Sequence, residues 1–427
     1  MRTAVATAVL LSTLSLPPPP VTGATHQGLP TVAARARRCE RIARRLAAGE
    51  RRNLARPGCG VAEGCTPRQQ RRWGRLAAGY ADDCVALNQV QVLGTHNSYH
   101  VEPRPELLTA LLAFDPIFNQ IEYTHPPLPL QLGDEGIRQI ELDVYADPAG
   151  GLYAHRAGLA AIGEDPDSPD PAMYTPGFKV LHIQDIDFET RCLTFVDCLH
   201  DVKTWSDAHP GHLPIMILVE AEDEVLPPVL DFVIPIPFGS AQFDALDAEI
   251  RSVFPPEQLI TPDDVRHGLA TLDEAVRALG WPTLGASRGK MLFCLDNGGK
   301  RHTYLDGHPV LEGRVLFTNA VAGSADAAFV EQNDPREDPM LIPGLVQTGY
   351  IVRTRADADT EQARTDDTAD RDAALASGAQ YVSTDYPVPD PRFGTGYFVA
   401  IPDGAPGRCN PVNAPVGCRS TALERPF

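Results

Sequence analysis

From residue 85 onward the chain alternates short, continuous apolar runs with amphipathic stretches. Eight of the runs read as strands: Gln89–Leu93, Gln139–Val144, Lys179–His182, Ile215–Val219, Met291–Leu295, Val315–Thr318, Tyr350–Thr354 and Tyr381–Ser383. A helical segment separates most neighbours, most clearly at Phe195–Ala208 and Thr360–Ala376. Gly177, Gly289, Gly349 and Gly378 mark the approaches to strands. Runs that are apolar throughout, rather than at every second position, belong to a parallel sheet buried on both faces. Eight strand–helix units close such a sheet into an α/β architecture, the (β/α)8 TIM barrel. An open doubly wound sheet is the alternative, but no Gly-rich dinucleotide or P-loop fingerprint follows any strand.

The pattern is different at both ends. Arg2 precedes an apolar run, Ala4–Leu16, which Pro17–Pro20 ends, and Val21-Thr22-Gly23-Ala24 offers small residues for cleavage. Residues 1–24 therefore read as an export signal, too short for a stable membrane span. Residues 25–85 form a basic segment with Leu46, Leu54, Trp73 and Leu76 at helical spacing. Within it, residues 31–80 hold 13 Arg and 3 Glu, a balance of +10 against −19 for the whole chain, which leaves −29 for the remainder. We expect a solvated helical extension tied down by Cys39 and Cys84, with contact to acidic lipid headgroups as the other reading. The acidic body argues against a nucleic-acid partner. The barrel is assigned to residues 86–390, and the Pro- and Gly-rich tail, 391–427, is expected to run over the surface.

Cysteine usage agrees with export. The nine Cys fall in local clusters, the pattern of short-range disulfides in an oxidising compartment. We expect Cys192–Cys198, Cys409–Cys418 and Cys39–Cys84 around Cys59–Cys65, with Cys294 free in an apolar strand. No spacing forms a convincing zinc ligand set.

In such barrels chemistry sits where strands end. The first strand runs into Gly94-Thr95-His96-Asn97-Ser98-Tyr99-His100, the second carries Glu141 and Asp143, the third ends at His182, and the fourth at Glu220. The fifth runs into Asp296 and the eighth into Asp385. Glu141 and Asp143, two apart on a strand, point to one face, and their repulsion calls for a cation between them. Carboxylates with an amide carbonyl are oxygen ligands suited to calcium or magnesium rather than zinc. Asn97, Glu141, Asp143 and Glu220 make that metal cage, although Glu222 and Asp223 lie beside the last. His96 and His182 can move protons near neutral pH.

These segments resemble those of phosphatidylinositol-specific phospholipases C. Gly94-Thr95-His96-Asn97-Ser98-Tyr99 is similar to the family's first catalytic segment, and Ile140-Glu141-Leu142-Asp143-Val144-Tyr145 to its second. His182 and Ile217-Leu218-Val219-Glu220 match the third and fourth, and the resemblance spans roughly Leu87 to Pro387. It implies a barrel enzyme that cleaves the glycerol–phosphate bond of an inositol phospholipid, giving diacylglycerol and a cyclic inositol phosphate. Metal-free bacterial members carry Arg where this chain has Asp143. Calcium-dependent members carry Asp there and Asn after the first His, as here.

The resemblance implies that His96 takes a proton or stabilises developing charge and that His182 protonates the leaving oxygen. His155, on a loop inserted between Ala146 and Pro176, competes for the second role. The apolar stretches Leu107–Phe118 and Val225–Phe238 are expected to touch the bilayer around the mouth, and the chain to act as a secreted monomer. A glycerophosphodiester phosphodiesterase acting on soluble substrates, or a secreted non-catalytic barrel, are the rival readings.

Overall fold

The computed structural model describes residues 32–52, 67–227, 231–402 and 406–424. The expected export signal and the Cys59–Cys65 pair lie outside these residues. Ten strands form one sheet: β1 (Val90–Thr95), β2 (Gln139–Tyr145), β3 (Lys179–Val180), β4 (Ile215–Glu222), β5 (Met291–Leu295), β6 (Leu316–Thr318), β7 (Phe329–Glu331), β8 (Ile351–Arg355), β9 (Tyr381–Thr384) and β10 (Gly407–Cys409). Eight of them run in parallel in the order β6-β5-β4-β2-β1-β9-β8-β7. A parallel bridge from Asn319 to Phe329 joins β6 to β7 and closes the ring into a TIM barrel. Parallel closure explains the all-apolar runs: Ile217, Leu218, Phe293 and Leu295 are fully buried, with helices outside and side chains filling the interior.

The ring has eight strands for a reason that differs in part from the expectation. The third expected strand is not a stave of the barrel. Lys179–Val180 pairs antiparallel with the end of β2, Val144 against Val180 and Tyr145 against Lys179. Leu181 and Ile183 then pack on a separate small core over the mouth-side loops. A short apolar run cannot be told from a barrel strand by periodicity alone. β2 pairs directly with β4, and the eighth stave is instead β7, three residues between β6 and β8 ending in Glu331.

β1 and β2 pair at Gly94 and Gln139. A Cβ at Gly94 would lie 2.8 Å from the Cβ of Gln139 and closer still to its amide. Only glycine lets the two strands approach, and they carry the first two functional segments.

The basic segment is a helical hairpin, α1 (Val32–Arg52) and α2 (Pro67–Cys84). The Cys39–Cys84 disulfide closes it, and Leu46, Ala77, Tyr80 and Ala81 bury into the main core. Cys192–Cys198 and Cys409–Cys418 are also bonded, and Cys294 is free and buried. Among the described residues no helix is long and apolar enough to cross a membrane.

The tail departs from a surface course. Its strand β10 pairs antiparallel with the start of β1. Further on, the Glu424 carboxylate accepts from the buried Arg138 guanidinium and, at 2.7 Å, from the Leu213 backbone N–H. Buried polar groups need such partners, and the tail supplies them beneath β2 and β4.

Candidate active site

The turn after β1 is fixed by its own side chains. Thr95 and Ser98 hydroxyls meet at 2.6 Å, the Ser98 N–H donates to the Glu141 carbonyl at 3.0 Å, and the Glu141 N–H donates back to the Ser98 hydroxyl at 2.8 Å. This staple ties the turn to β2. Between its ends Asn97 takes a left-handed φ of 42°, a conformation Asn tolerates better than most residues. The turn thus presents His96 and Asn97 beside Glu141 and Asp143.

The mouth gathers carboxylates. In the β2–β4 register Asp143 sits opposite Glu220. Oxygens of Glu141, Glu220 and Asp296 all lie within 4.8 Å of one another. Asp143 stands next to them but accepts from Tyr99 at 2.6 Å. Burial first, then mutual repulsion, raises the pKa of Glu220 and Glu331, and burial raises Glu141, Asp143 and Asp296 despite neighbouring cations. Arg353, buried on β8, donates to Glu141 at 2.6 Å and to Asn333 at 2.7 Å. Burial alone would lower its pKa, but Glu141, Glu331 and Asp296 raise it further above its ordinary value.

These residues fit a hard divalent cation. Five carboxylates, Glu141 and Asp143 buried and Glu220, Asp296 and Glu331 partly so, outnumber the one fully buried arginine among them. The Asn97 amide lies against Asp143: turned nitrogen-inward it donates to both Asp143 oxygens at 3.2 Å, and turned oxygen-inward it would add a further oxygen to the donor set. All candidate ligand atoms are oxygens, the donor set of calcium.

Two histidines flank the cluster, each backed by an aspartate. His96 Nδ1 lies 2.8 Å from Asp385, and its Nε2 lies 3.8 Å from Glu141. Burial and the Arg355 guanidinium pull His96 down to about 4, against the opposing pull of Asp385. His182 sits on the loop after β3, not on a barrel strand. The Tyr145 hydroxyl, on the same face of β2 as Asp143, donates to its carbonyl at 2.9 Å. Burial lowers the His182 pKa, but the hydrogen bond and charge of Asp187, with the charge of Asp143, outweigh it and set the pKa at about 9. At neutral pH His96 is neutral and His182 is charged.

His96, Asn97, Glu141, Asp143, Glu220 and His182 therefore come to one mouth. His155 does not: it is 61% exposed and paired with the exposed Asp167. Asp223 is engaged by Lys300 at 2.9 Å and by the Phe238 N–H, away from the cluster. The sequence places Asp296 at a strand end but outside the cage, and it does not point to Glu331, Arg353 or Asp187. An arginine inside the apolar run Ile351-Val352-Arg353 is a signal that could have found one of them. Of the apolar stretches, Phe114, Ile117, Val225 and Ile234 are exposed at 68%, 55%, 60% and 70%. Phe232 and Ile236 instead pack against cores, and Phe238 is buried.

A parallel barrel whose mouth gathers carboxylate oxygens and two histidines, one neutral and one charged, has the parts of a metal-dependent enzyme with general acid–base chemistry. Residues 85–411 match the family model described as phosphoinositide phospholipase C, Ca2+-dependent, and the chain belongs to that family. It is a calcium-dependent, phosphoinositide-specific phospholipase C, which decides against a soluble glycerophosphodiester phosphodiesterase or a non-catalytic barrel. Among solved structures, a calcium-dependent phosphoinositol-specific phospholipase C from a Gram-negative Pseudomonas is 18% identical. The alignment covers 76% of this chain and 95% of that one at a TM-score of 0.46. A Ca2+-dependent phosphatidylinositol-specific phospholipase C from Streptomyces antibioticus is also 18% identical, over 73% of this chain and 97% of that one, at 0.47. A comparison with curated protein sequences finds no match.

Proposed function

We propose that His96 and His182 are the proton-transfer pair of the reaction and that Asn97, Glu141, Asp143 and Glu220, joined by Asp296, hold the calcium ion. The observation that carries this reading is geometric: His96 and His182 flank one carboxylate cluster, each held at Nδ1 by an aspartate, Asp385 at 2.8 Å and Asp187 at 2.7 Å. Asp385 holds the Nδ1 of His96, which leaves Nε2 free to accept a proton from the inositol 2-hydroxyl. That oxygen attacks phosphorus while the bond from phosphorus to the glycerol oxygen breaks. His182, with Nδ1 on Asp187, delivers its Nε2 proton to the departing oxygen. The products are diacylglycerol and a cyclic inositol phosphate. Calcium, when bound, would offset the carboxylate charge and favour the extra negative charge of the phosphate in flight.

The substrate lies in a bilayer, so the mouth works against a membrane surface. The exposed Phe114, Ile117, Val225 and Ile234 follow β1 and β4 on that side and support peripheral contact. The disulfides support export to an oxidising compartment.

The test is hydrolysis of phosphatidylinositol vesicles with calcium and with chelator, the products followed by phosphorus NMR. His96→Ala and His182→Ala should each lower turnover by about 10²–10⁴-fold, the range for general acid–base groups. Wild-type rates in either variant would refute the assignment of that histidine.

A further inference from the structure

The helical hairpin lies wholly outside the matched residues 85–411, and nothing in the mouth uses it. α2 ends at Cys84, just before β1 begins. Its last turn is held by Arg288, ahead of β5, which donates to Asp82 at 2.7 Å. The Leu284 N–H donates to the Val85 carbonyl just after it, and Gly417 of the tail packs on Tyr80. All these contacts lie at the pole where the parallel strands begin, opposite the mouth.

The outer face of this hairpin is arginine. Arg37, Arg41 and Arg45 follow one another at i, i+4 and i+8 on α1, and Arg68, Arg72 and Arg75 at i, i+4 and i+7 on α2. All six are exposed and none has an acidic partner among the described residues. The nearby acids are used elsewhere: Glu40 pairs with Arg44, and Asp83 with Arg38. No lysine occurs in residues 31–80. Arginine's planar fork suits phosphate oxygens better than an ammonium does. The disulfide and the buried Leu46 and Tyr80 make the array a fixed platform rather than a trailing arm.

We propose that this pole docks the protein on an anionic phospholipid surface, independently of the membrane its mouth works on. A plane suits the charge distribution. It meets the basic pole alone, and the acidic body stands off from it. The eight residues of β4 already span about 26 Å, against a screening length of about 8 Å at physiological salt. A flexible polyanion would instead wrap onto acidic flanks. The proposal goes beyond the catalytic reading and rests on none of its residues. Its consequence is that one molecule bridges two bilayers.

The experiment uses the intact protein and vesicles of phosphatidylglycerol and phosphatidylcholine that contain no inositol lipid. Wild type should co-sediment with them, and high salt should release it. Replacing the six arginines by glutamine should weaken binding at least about 100-fold, given what each basic residue contributes near an anionic surface. Hydrolysis of a soluble short-chain analogue should stay the same. Wild type, but not the variant, should cross-link these vesicles to phosphatidylinositol vesicles, read as turbidity. If the six-residue variant misfolds, Arg68→Gln, Arg72→Gln and Arg75→Gln together should still cut binding more than tenfold. Equal sedimentation of folded variant and wild type, equal binding to pure phosphatidylcholine, or tighter capture of duplex DNA than of vesicles would each overturn the proposal.

Discussion

His182 Nδ1 and the Asp187 carboxylate are 2.7 Å apart, and that carboxylate also holds the buried His100 Nε2 at 2.9 Å. Burial alone would raise the Asp187 pKa, but the charges and hydrogen bonds of His100 and His182 hold it at about 2. The pair therefore carries opposite charges across neutral pH. His182, raised from 6.5 to about 9, contributes stability that is complete below 6.5 and lost as pH rises through about 9. Asp187, depressed to about 2, contributes stability present above its ordinary value and lost as pH falls through about 2.

If His182 is the acid, Asp187→Asn should move the alkaline limb of the pH–rate profile down from about 9 toward or below 6.5. At pH 8 the protonated fraction would fall roughly 30-fold, with a smaller loss near pH 5.5, by simple titration arithmetic. Circular dichroism should confirm that the variant is folded. An alkaline limb that stays in place would assign the leaving-group proton elsewhere.

The carboxylates of the mouth give a sign opposite to the usual one for acids. Burial raises Glu141, Asp143, Glu220 and Asp296, so each adds stability below its ordinary pKa and loses it as pH rises through the higher folded value. In chelator the protein should melt at a higher temperature near pH 5.5 than near pH 7.5. Calcium at a hundredfold excess over its Kd should add about 2.7 kcal/mol at the higher pH and remove the difference. Magnesium, which demands tighter octahedral geometry, should do less. Differential scanning calorimetry checks both points. A melting profile indifferent to chelator would dismiss the cage.

The barrel is legible in the sequence because parallel strands leave continuous apolar runs, as at Ile215–Val219 and Met291–Leu295. The first two functional segments are legible because the residues are contiguous: Gly94 to Tyr99 form one turn, and Glu141 and Asp143 share one strand face. Glu331 escaped because β7 is three residues long, below what periodicity detects. Asp187 escaped because its partners His100 and His182 come from separate loops, and only folding brings them to one carboxylate. The true course of Lys179–His182 was hidden because an apolar run buried under loops looks like a strand buried in a barrel.

Arg353 bears on stability as directly as on charge. It is fully buried, and its Nη2 contacts Glu141 at 2.6 Å while its field acts on Glu331 and Asp296. Arg353→Met keeps an unbranched apolar stem, though a shorter one, and removes the charge, leaving Glu141, Glu331 and Asp296 without it. Breaking a buried pair from one side costs about 3–5 kcal/mol. Calcium should recover part of that loss, because it neutralises the same carboxylates. Urea unfolding with and without calcium measures both numbers. A variant as stable as wild type in chelator would mean that the carboxylates are already protonated.

The proposed contact of the apolar rim with the bilayer can be separated from packing of the protein. Phe114, Ile117 and Ile234 are exposed, whereas Phe232 and Ile236 pack against cores. Replacing the first three by Ser therefore touches no core and should leave the melting temperature unchanged. Insertion of such side chains contributes about 1.5–3 kcal/mol each when fully buried, and less when partly so. The triple variant should bind neutral vesicles containing phosphatidylinositol about 10²–10³-fold more weakly, taking somewhat over 1 kcal/mol per residue. Its turnover on those vesicles should drop in proportion, while hydrolysis of a soluble short-chain analogue stays near wild type. Phe232→Ser and Ile236→Ser should behave in the opposite way, lowering stability and both activities together. Equal losses on both substrates in the exposed-residue variant would show that these side chains shape the mouth rather than grip the membrane.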